Sequence, residues 1–298
     1  MVSTNPRYVL VTPVKNEKAM LESLRDCVLS QTLKPQAWIL VNDESSDGSL
    51  EEIRQWCLSD DSIRITESKD HALLPWYRYG AVVAVGVREA LGVLPGEFSH
   101  EYVGVLDADT CVEANYFRSL IEAMQKDNRS MISTGLISTI NGSLHEQKPL
   151  PRGCARVYRA SFLRELGGFP LTPAPDTVLE VKAANRGHTL LVIPGARGIH
   201  RRGSTTATGH SGNVTMGIIH HALGMDFASA LLVGVLLGTS RGFSSSHYYI
   251  KGYLEGMKNR HLRVTDSEIL SYYDRAWTRL FENGKAVRAA FGYAQWGL

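Results

Sequence analysis

The chain has 298 residues, 44% hydrophobic and 21% charged, with a formal net charge of +2. That length buries one large core, or one core plus an appendage, and so small a net charge excludes a bulk nucleic-acid binder. Cys27, Cys57, Cys111 and Cys154 are far apart with no CxxC pair, which excludes a zinc or disulfide framework and fits reduced thiols in a cytoplasmic protein. In chain order, "RYVLVTPV" (7–14) is a β-rich run entered without a long apolar segment behind basic residues, so no signal peptide is expected. A helix over 17–31 follows, with Met20, Leu21, Leu24 and Val28 on one side. Then come a strand at 37–43, a helix at 49–59 with Ser49 as its expected cap, a strand at 62–66, a helix at 77–92 and the strand "YVGVLDAD" (102–109). A helix at 113–127 and the run "SMISTGLIST" (130–139) extend the alternation. This order predicts an α/β fold: a mostly parallel sheet with helices on both faces.

In such sheets ligands sit beyond the carboxyl ends of the strands. Three segments place polar residues there: "TPVKNE" (12–17), "NDESSDGS" (42–49) and "DADT" (107–110). If their strands are neighbours, the three groups converge on one crevice. The pair Asp107 and Asp109 has two readings. Two carboxylates plus substrate phosphates are a usual seat for Mg²⁺; the same residues also make a solvated turn or a helix N-cap before "CVEANYF". Asp43 likewise reads as an acceptor for a base or ribose, or as part of an ordinary strand–turn–helix connection.

Taken together, "TPVKNE" (12–17), "SQTLKPQAWILVNDESSDGS" (30–49), "VLDADT" (105–110), "GGF" (167–169), "PDTVLEVKAANRGH" (175–188) and His200 resemble a family 2 glycosyltransferase of the Rossmann-like GT-A type, in order and spacing, over about residues 7–205. The resemblance implies an inverting enzyme with a nucleotide-sugar donor, UDP- or GDP-linked, and Mg²⁺ or Mn²⁺ as cofactor. By position, Pro13, Glu17 and Asp43 would recognise the nucleotide. Asp107 would lie nearer the ribose, Asp109 would ligate the metal, and His200 would be a further metal or diphosphate contact. Asp176 matches the base that deprotonates the acceptor hydroxyl; the helix N-cap is the other role open to it, and Glu180 is the alternative base. Arg201 or Arg202 could add positive charge at the leaving diphosphate, or belong to a solvated surface.

Two departures stand out. The family often has Glu-Asp where this chain has Pro175-Asp176, which bears on acceptor positioning. Near 70–80 an Asn/Gly/Arg pattern is replaced by "DHALLPWYRYG", in which Trp76, Tyr77 and Arg78 could contact the donor or form core.

Residues 206–298 lie outside the strong resemblance and read as a helical appendage. The Gly/Ser/Thr-rich stretch 200–217 suits a lid or a plain connector. The apolar segment 227–239 is shorter than the roughly 20 residues of a spanning helix. With Phe243, Tyr248, Tyr249, Tyr253 and the basic residues of 241–263 it suits a membrane-interface element or a helical cap with packed tyrosines. The expectation is a cytoplasmic protein with peripheral membrane attachment and a glycan or lipid-linked acceptor. Rival readings are a sugar nucleotidyltransferase, disfavoured because "TPVKNEKAM" (12–20) lacks a glycine-rich phosphate loop, and a degenerate scaffold, disfavoured by the retention of Asp43, Asp107, Asp109 and Asp176.

Overall fold

A computed structural model describes residues 6–68, 75–95, 101–139, 153–201, 210–259 and 263–274. The chain forms two compact units: Met1–Leu171 with Gly187–Gly203, and Thr172–Arg186 with Ser204–Leu298.

In the first unit, β1 (Arg7–Val14), α1 (Lys18–Leu29), β2 (Ala37–Asn42), α2 (Ser49–Ser59), β3 (Ile63–Glu67), α3 (Pro75–Val93) and β4 (Glu101–Leu106) alternate as the sequence pattern requires. Then follow β5 (Thr110–Val112), α4 (Tyr116–Lys126), β6 (Ser130–Thr139), β7 (Ala155–Arg159), α5 (Ala160–Glu165) and β8 (Thr189–His200). The eight strands form one sheet in the order β3-β2-β1-β4-β7-β6-β8-β5. β3, β2, β1 and β4 are mutually parallel, as are β6 and β8, while β7 runs antiparallel to β4 and β6, and β5 antiparallel to β8. β2 and β4 are buried at every position, the continuous apolar reading of strands covered on both faces.

β2 and β4 flank β1, and the chain order reverses at the β1–β4 boundary. The carboxyl ends of these three strands therefore open on one crevice at a topological switch point. That adjacency was the condition the sequence left unsettled.

Several local expectations are corrected. Ser49 is not the cap of α2: Gly48, at φ 91°, holds that position, and the Ser49 hydroxyl accepts from the Glu17 amide at 3.0 Å. Residues 110–112 form a strand, so the acidic stretch is a turn closed by Thr110 N–H to Asp107 C=O at 3.0 Å, and α4 starts only at Tyr116 behind Asn115. β7 carries no periodic signal in the sequence, because its five residues are all buried and leave no polar face for a period to show.

α3 crosses the faces of β1 and β2, and Gly86 is the point of closest approach. A Cβ there would stand 2.4 Å from Val11 Cγ1 and 2.7 Å from Val41 Cγ2. Valine side chains are stiff at χ1 and have little room to yield.

The second unit contains α6 (Pro175–Asn185), α7 (His210–Ala222), α8 (Phe227–Arg241), α9 (Phe243–Lys258) and α10 (Ser267–Tyr273). Residues 210–217, read from sequence as loop, open α7; residues 202–209 and with them Arg202 lie outside the described residues. α7 and α9 touch backbone to backbone: a Cβ on Gly252 would meet the Val214 carbonyl oxygen at 2.0 Å. Tyr249 and Tyr253 are buried, with the Tyr253 hydroxyl donating to the Met225 carbonyl at 2.6 Å. Burial pushes His220 down to about 4, so its imidazole is neutral where it meets the Tyr249 hydroxyl at 2.8 Å. Lys182 on α6 pairs with Asp266 at 2.5 Å and Glu268 at 3.2 Å, fixing α6 to α10. Among the described residues no helix is long and apolar enough to cross a membrane.

Gly86→Ala tests the helix–sheet contact. Alanine gains about 1 kcal/mol of helix propensity, but overpacking against two valines costs about 1–3 kcal/mol. A lower urea midpoint is expected, and an unchanged or higher one would show that α3 does not need the close approach.

Candidate active site

The loops that follow β1 and β2 are laced together by side chains. The Asp47 carboxylate accepts from the Lys18 amide at 2.9 Å and the Ser49 amide at 3.0 Å, serving the amino ends of both α1 and α2. Asn16 and Glu44 take left-handed backbone angles, φ 54° and 55°. The Asn16 side-chain oxygen accepts from the Ser46 amide at 2.7 Å, and its own amide donates to the Ser45 hydroxyl at 3.0 Å. The polar stretch "NDESSDGS" is therefore largely structural, and only Asp43 of it faces the crevice.

A cavity of about 290 Å³ lies over the strand ends, lined by Pro13, Val14, Lys15, Glu17, Asp43, Arg78, Tyr79, Val82, Asp107, Ala108 and Asp109. Six of the residues singled out from sequence meet there: Pro13, Glu17, Asp43, Arg78, Asp107 and Asp109. His200 joins them through Asp109, its Nε2 standing 3.1 Å from the carboxylate, because Thr110 and His200 are paired across β5 and β8. The Arg201 amide donates to the Asp109 carbonyl at 2.8 Å. Asp176 lies in the second unit, where it is the second residue of α6 rather than its cap; Ala174 holds the cap position. A carboxylate in the first turn is favoured by the helix dipole. Glu180, the alternative base, is 4% exposed on the same helix.

Of the polar residues lining the cavity, two escaped the sequence reading, Lys15 and Tyr79. Trp76 and Tyr77, the aromatic alternatives, are not among the described residues lining the cavity. The side chains that reach it are the next two on the first turn of α3. Arg78 grips Asp43 with Nη2 to Oδ1 at 2.7 Å and Nε to Oδ2 at 2.7 Å, and also bonds Glu44. Lys15 Nζ bonds Asp43 Oδ2 at 3.2 Å. The Tyr79 hydroxyl donates to Asp107 Oδ1 at 3.0 Å. Lys15 stood within a stretch already marked, and charge alternation with Asp43 was its only signal.

Burial works to raise the Asp43 pKa, but the hydrogen bonds of Arg78 and then of Lys15 outweigh it and hold the carboxyl below its usual range. Arg78 is correspondingly pushed up by Asp43 and Glu44.

The donor set suits a hard divalent ion: two carboxylates on one turn, with an imidazole beside the second. Among the described residues no group of three His, Cys, Asp or Glu is placed to hold a metal alone. An ion at Asp107 and Asp109 would therefore draw ligands from phosphate and water, as Mg²⁺ sites do.

A family model described as Glycosyl transferase family 2 matches residues 9–174. The chain belongs to glycosyl transferase family 2. This transferase is 25% identical over 130 residues to a protein described as uncharacterized glycosyltransferase EpsJ of Bacillus subtilis (strain 168), a match covering 44% of this chain and 34% of that one. The chain thus spans about a third of that relative's length. Among solved structures, the mannosyltransferase PcManGT from Pyrobaculum calidifontis, in complex with GDP-Man and Mn²⁺, superposes with a TM-score of 0.60 at 16% identity, covering 87% of this chain and 89% of that one. S. aureus TarS 1-349 in complex with UDP-GlcNAc gives 0.55 at 13% identity, covering 96% and 89%. GalNAc-T7 with UDP, GalNAc and Mn²⁺ gives 0.60 at 12% identity, covering 98% of this chain and 59% of that one. These likenesses establish the GT-A fold of the family 2 transferase.

The lowered Asp43 pKa has a consequence for stability. The contribution of the Arg78–Asp43 pair is fully present above the ordinary carboxylate pKa of about 3.9 and is lost as pH falls through the lowered folded value. Wild type should therefore lose unfolding free energy more steeply than Asp43→Asn on acidification below about pH 4. Parallel pH profiles in urea titrations would show that the pair does not stabilise the fold.

Proposed function

We propose that this family 2 glycosyltransferase is an inverting, metal-dependent enzyme that moves a sugar from a UDP- or GDP-linked donor to a hydroxyl of a glycan or lipid-linked acceptor. The observation that carries the reading is the convergence of Asp43, Asp107 and Asp109 on one cavity at the ends of three adjacent strands. The nucleotide-sugar complexes of PcManGT and TarS, and the Mn²⁺ in the PcManGT and GalNAc-T7 structures, support the donor class and a divalent ion.

In this reading the cavity holds the nucleoside diphosphate. Pro13 and Glu17 form the wall at the end of β1, and Asp43, fixed by Arg78 and Lys15, meets the nucleoside. Tyr79 donates to Asp107 Oδ1 and so helps to hold this carboxylate where the ribose or metal would lie. Asp109 and His200 hold the metal side of the diphosphate. A bound Mg²⁺ or Mn²⁺ supplies Lewis-acid stabilisation to the leaving diphosphate. Asp176 takes the proton from the attacking acceptor hydroxyl, the role that in-line displacement assigns to a carboxylate.

Calorimetric titration with UDP- and GDP-sugars, with and without Mn²⁺, tests the core of this reading. Metal-dependent binding is expected for wild type, with at least a tenfold loss for Asp109→Ala, about the 1.4 kcal/mol of one good charged ligand contact. With an acceptor in hand, Asp176→Asn should lower kcat about a hundredfold or more, and NMR should show an inverted anomeric centre in the product. A retained configuration removes the inverting mechanism, and full activity of the Asp176 variant removes Asp176 as the base.

The reading includes peripheral attachment to a membrane surface through the second unit. Phe227, Leu231 and Val235 recur every four residues on one exposed face of α8, and Arg241, Lys251 and Lys258 lie on the same helical hairpin. Apolar residues flanked by cations suit an anionic lipid surface. Co-sedimentation with phosphatidylglycerol vesicles, reduced by Leu231→Glu and by salt, is the expected outcome; equal partitioning of wild type and variant would exclude this face.

A further inference from the structure

Cys27 and Cys111 lie far apart in the chain but meet where α1 packs on β5. The Cys27 thiol donates to the Val112 carbonyl at 3.0 Å, and its sulfur accepts from the Val112 amide at 2.9 Å. That amide nitrogen is two covalent bonds from the Cα of Cys111. The Cys111 sulfur in turn lies 3.4 Å from the Ser23 hydroxyl, and its thiol donates to the Ser23 carbonyl at 3.5 Å. In an α-helix that carbonyl accepts from the amide four residues on, which in α1 is that of Cys27. Helical side chains lean towards the amino end, so the Cys27 side chain tilts over the turn of Ser23, where the Cys111 sulfur sits. The two thiols interact directly, and all four cysteines of the chain are free.

Access to the pair is graded. Cys27 is 8% exposed and belongs to the core, while Cys111 is half-buried at the edge of it. A small disulfide entering from solvent meets Cys111 first, and Cys27 is placed to resolve the mixed disulfide. The position of the pair links it to the candidate site. β5 is three residues long and ends the sheet; Asp109 directly precedes it, and its Thr110 pairs with His200. A disulfide holds its sulfurs about 2 Å apart, well inside hydrogen-bond distance. Its formation also removes the S–H donors to the Val112 and Ser23 carbonyls. A three-residue edge strand yields before a twelve-residue helix packed on the core, so closure moves β5, and Asp109 with it.

We propose that Cys27 and Cys111 form a modification site, converted to an internal disulfide by a low-molecular-weight disulfide such as glutathione disulfide, and that closure displaces Asp109 from His200. The Cys111 sulfur attacks one sulfur of glutathione disulfide, forming a mixed disulfide and releasing one glutathione. The Cys27 sulfur then attacks the Cys111 sulfur, forming the internal bond and releasing the second glutathione. Two electrons and two protons pass from the protein dithiol to the reagent, which leaves as two thiols. The cross-link stands on the geometry of the two cysteines alone; its effect on ligand binding rests on the reading of the cavity as a metal-dependent nucleotide-sugar site.

The test is incubation of the full chain with glutathione disulfide, alkylation of the remaining thiols in denaturant, and peptide mass mapping. A linked Cys27–Cys111 peptide, two hydrogens lighter than its two thiol peptides and abolished by a phosphine reductant, is expected as the main product. Glutathione retained on Cys111, or alkylation of both cysteines as in untreated protein, overturns the proposal. Cys111→Ser should form no link. Calorimetric titration with UDP- and GDP-sugars and Mn²⁺, after removal of the reagents, reads the consequence. The linked protein should bind about fivefold more weakly or worse, with affinity restored by reduction and with no response to the oxidant in Cys111→Ser. Equal affinity of linked and reduced protein removes the displacement of Asp109. If the reduced protein binds no nucleotide sugar, the nucleotide-sugar reading fails, while the mass map still decides the cysteine pair.

Discussion

Four carboxylates, Glu17, Asp43, Asp107 and Asp109, share one cavity of about 290 Å³, and managing their charge is the constraint on which the site depends. Like charges held close in a partly buried space raise one another's pKa and disfavour the ionised form. The chain meets this with separate partners, among them Arg78 and Lys15 for Asp43, Tyr79 for Asp107 and His200 for Asp109. The partners differ in kind. Asp43 is held by two cations, whereas Asp107 accepts from the neutral Tyr79 phenol.

The supply of these partners follows from the position of α3. Arg78 and Tyr79 are successive residues on its first turn, yet they reach carboxylates at the ends of two strands separated by β1. This geometry requires α3 to lie close over the sheet, which Gly86 permits by bringing the helix onto Val11 and Val41. A packing contact two turns along the helix thus sets the polar geometry of the site. The second unit has a different economy. Its α7–α9 contact is made through glycine backbones, its tyrosines turn inward, and its apolar residues on α8 remain partly exposed.

Much of the first unit was legible because its elements carry strong local signals: continuous apolar runs for β2 and β4, and a 3.6-residue period for α1 and α4. The errors fell where a local signal was ambiguous. β7 is short and wholly buried, so neither a period of two nor one of 3.6 shows in it. Ser49 looked like a cap from its chemistry, but its hydroxyl is engaged by the Glu17 amide and by Asp47, contacts with residues that propensity does not see. The acidic turn was ambiguous between a solvated turn, a cap and a metal seat because one strand end taken alone has no neighbours.

The sequence by itself determined the alternation of strands and helices, the placing of carboxylates at strand ends and the likeness to family 2 glycosyltransferases, since each of these is written in local pattern or ordered motifs. Tertiary structure decided that β2, β1 and β4 are neighbours, that Asp109 meets His200 and that Asp43 is held by Arg78 and Lys15. These are contacts between residues 28 to 91 positions apart. Strand order and helix packing bring such residues together, and no window of local periodicity contains both members of a pair.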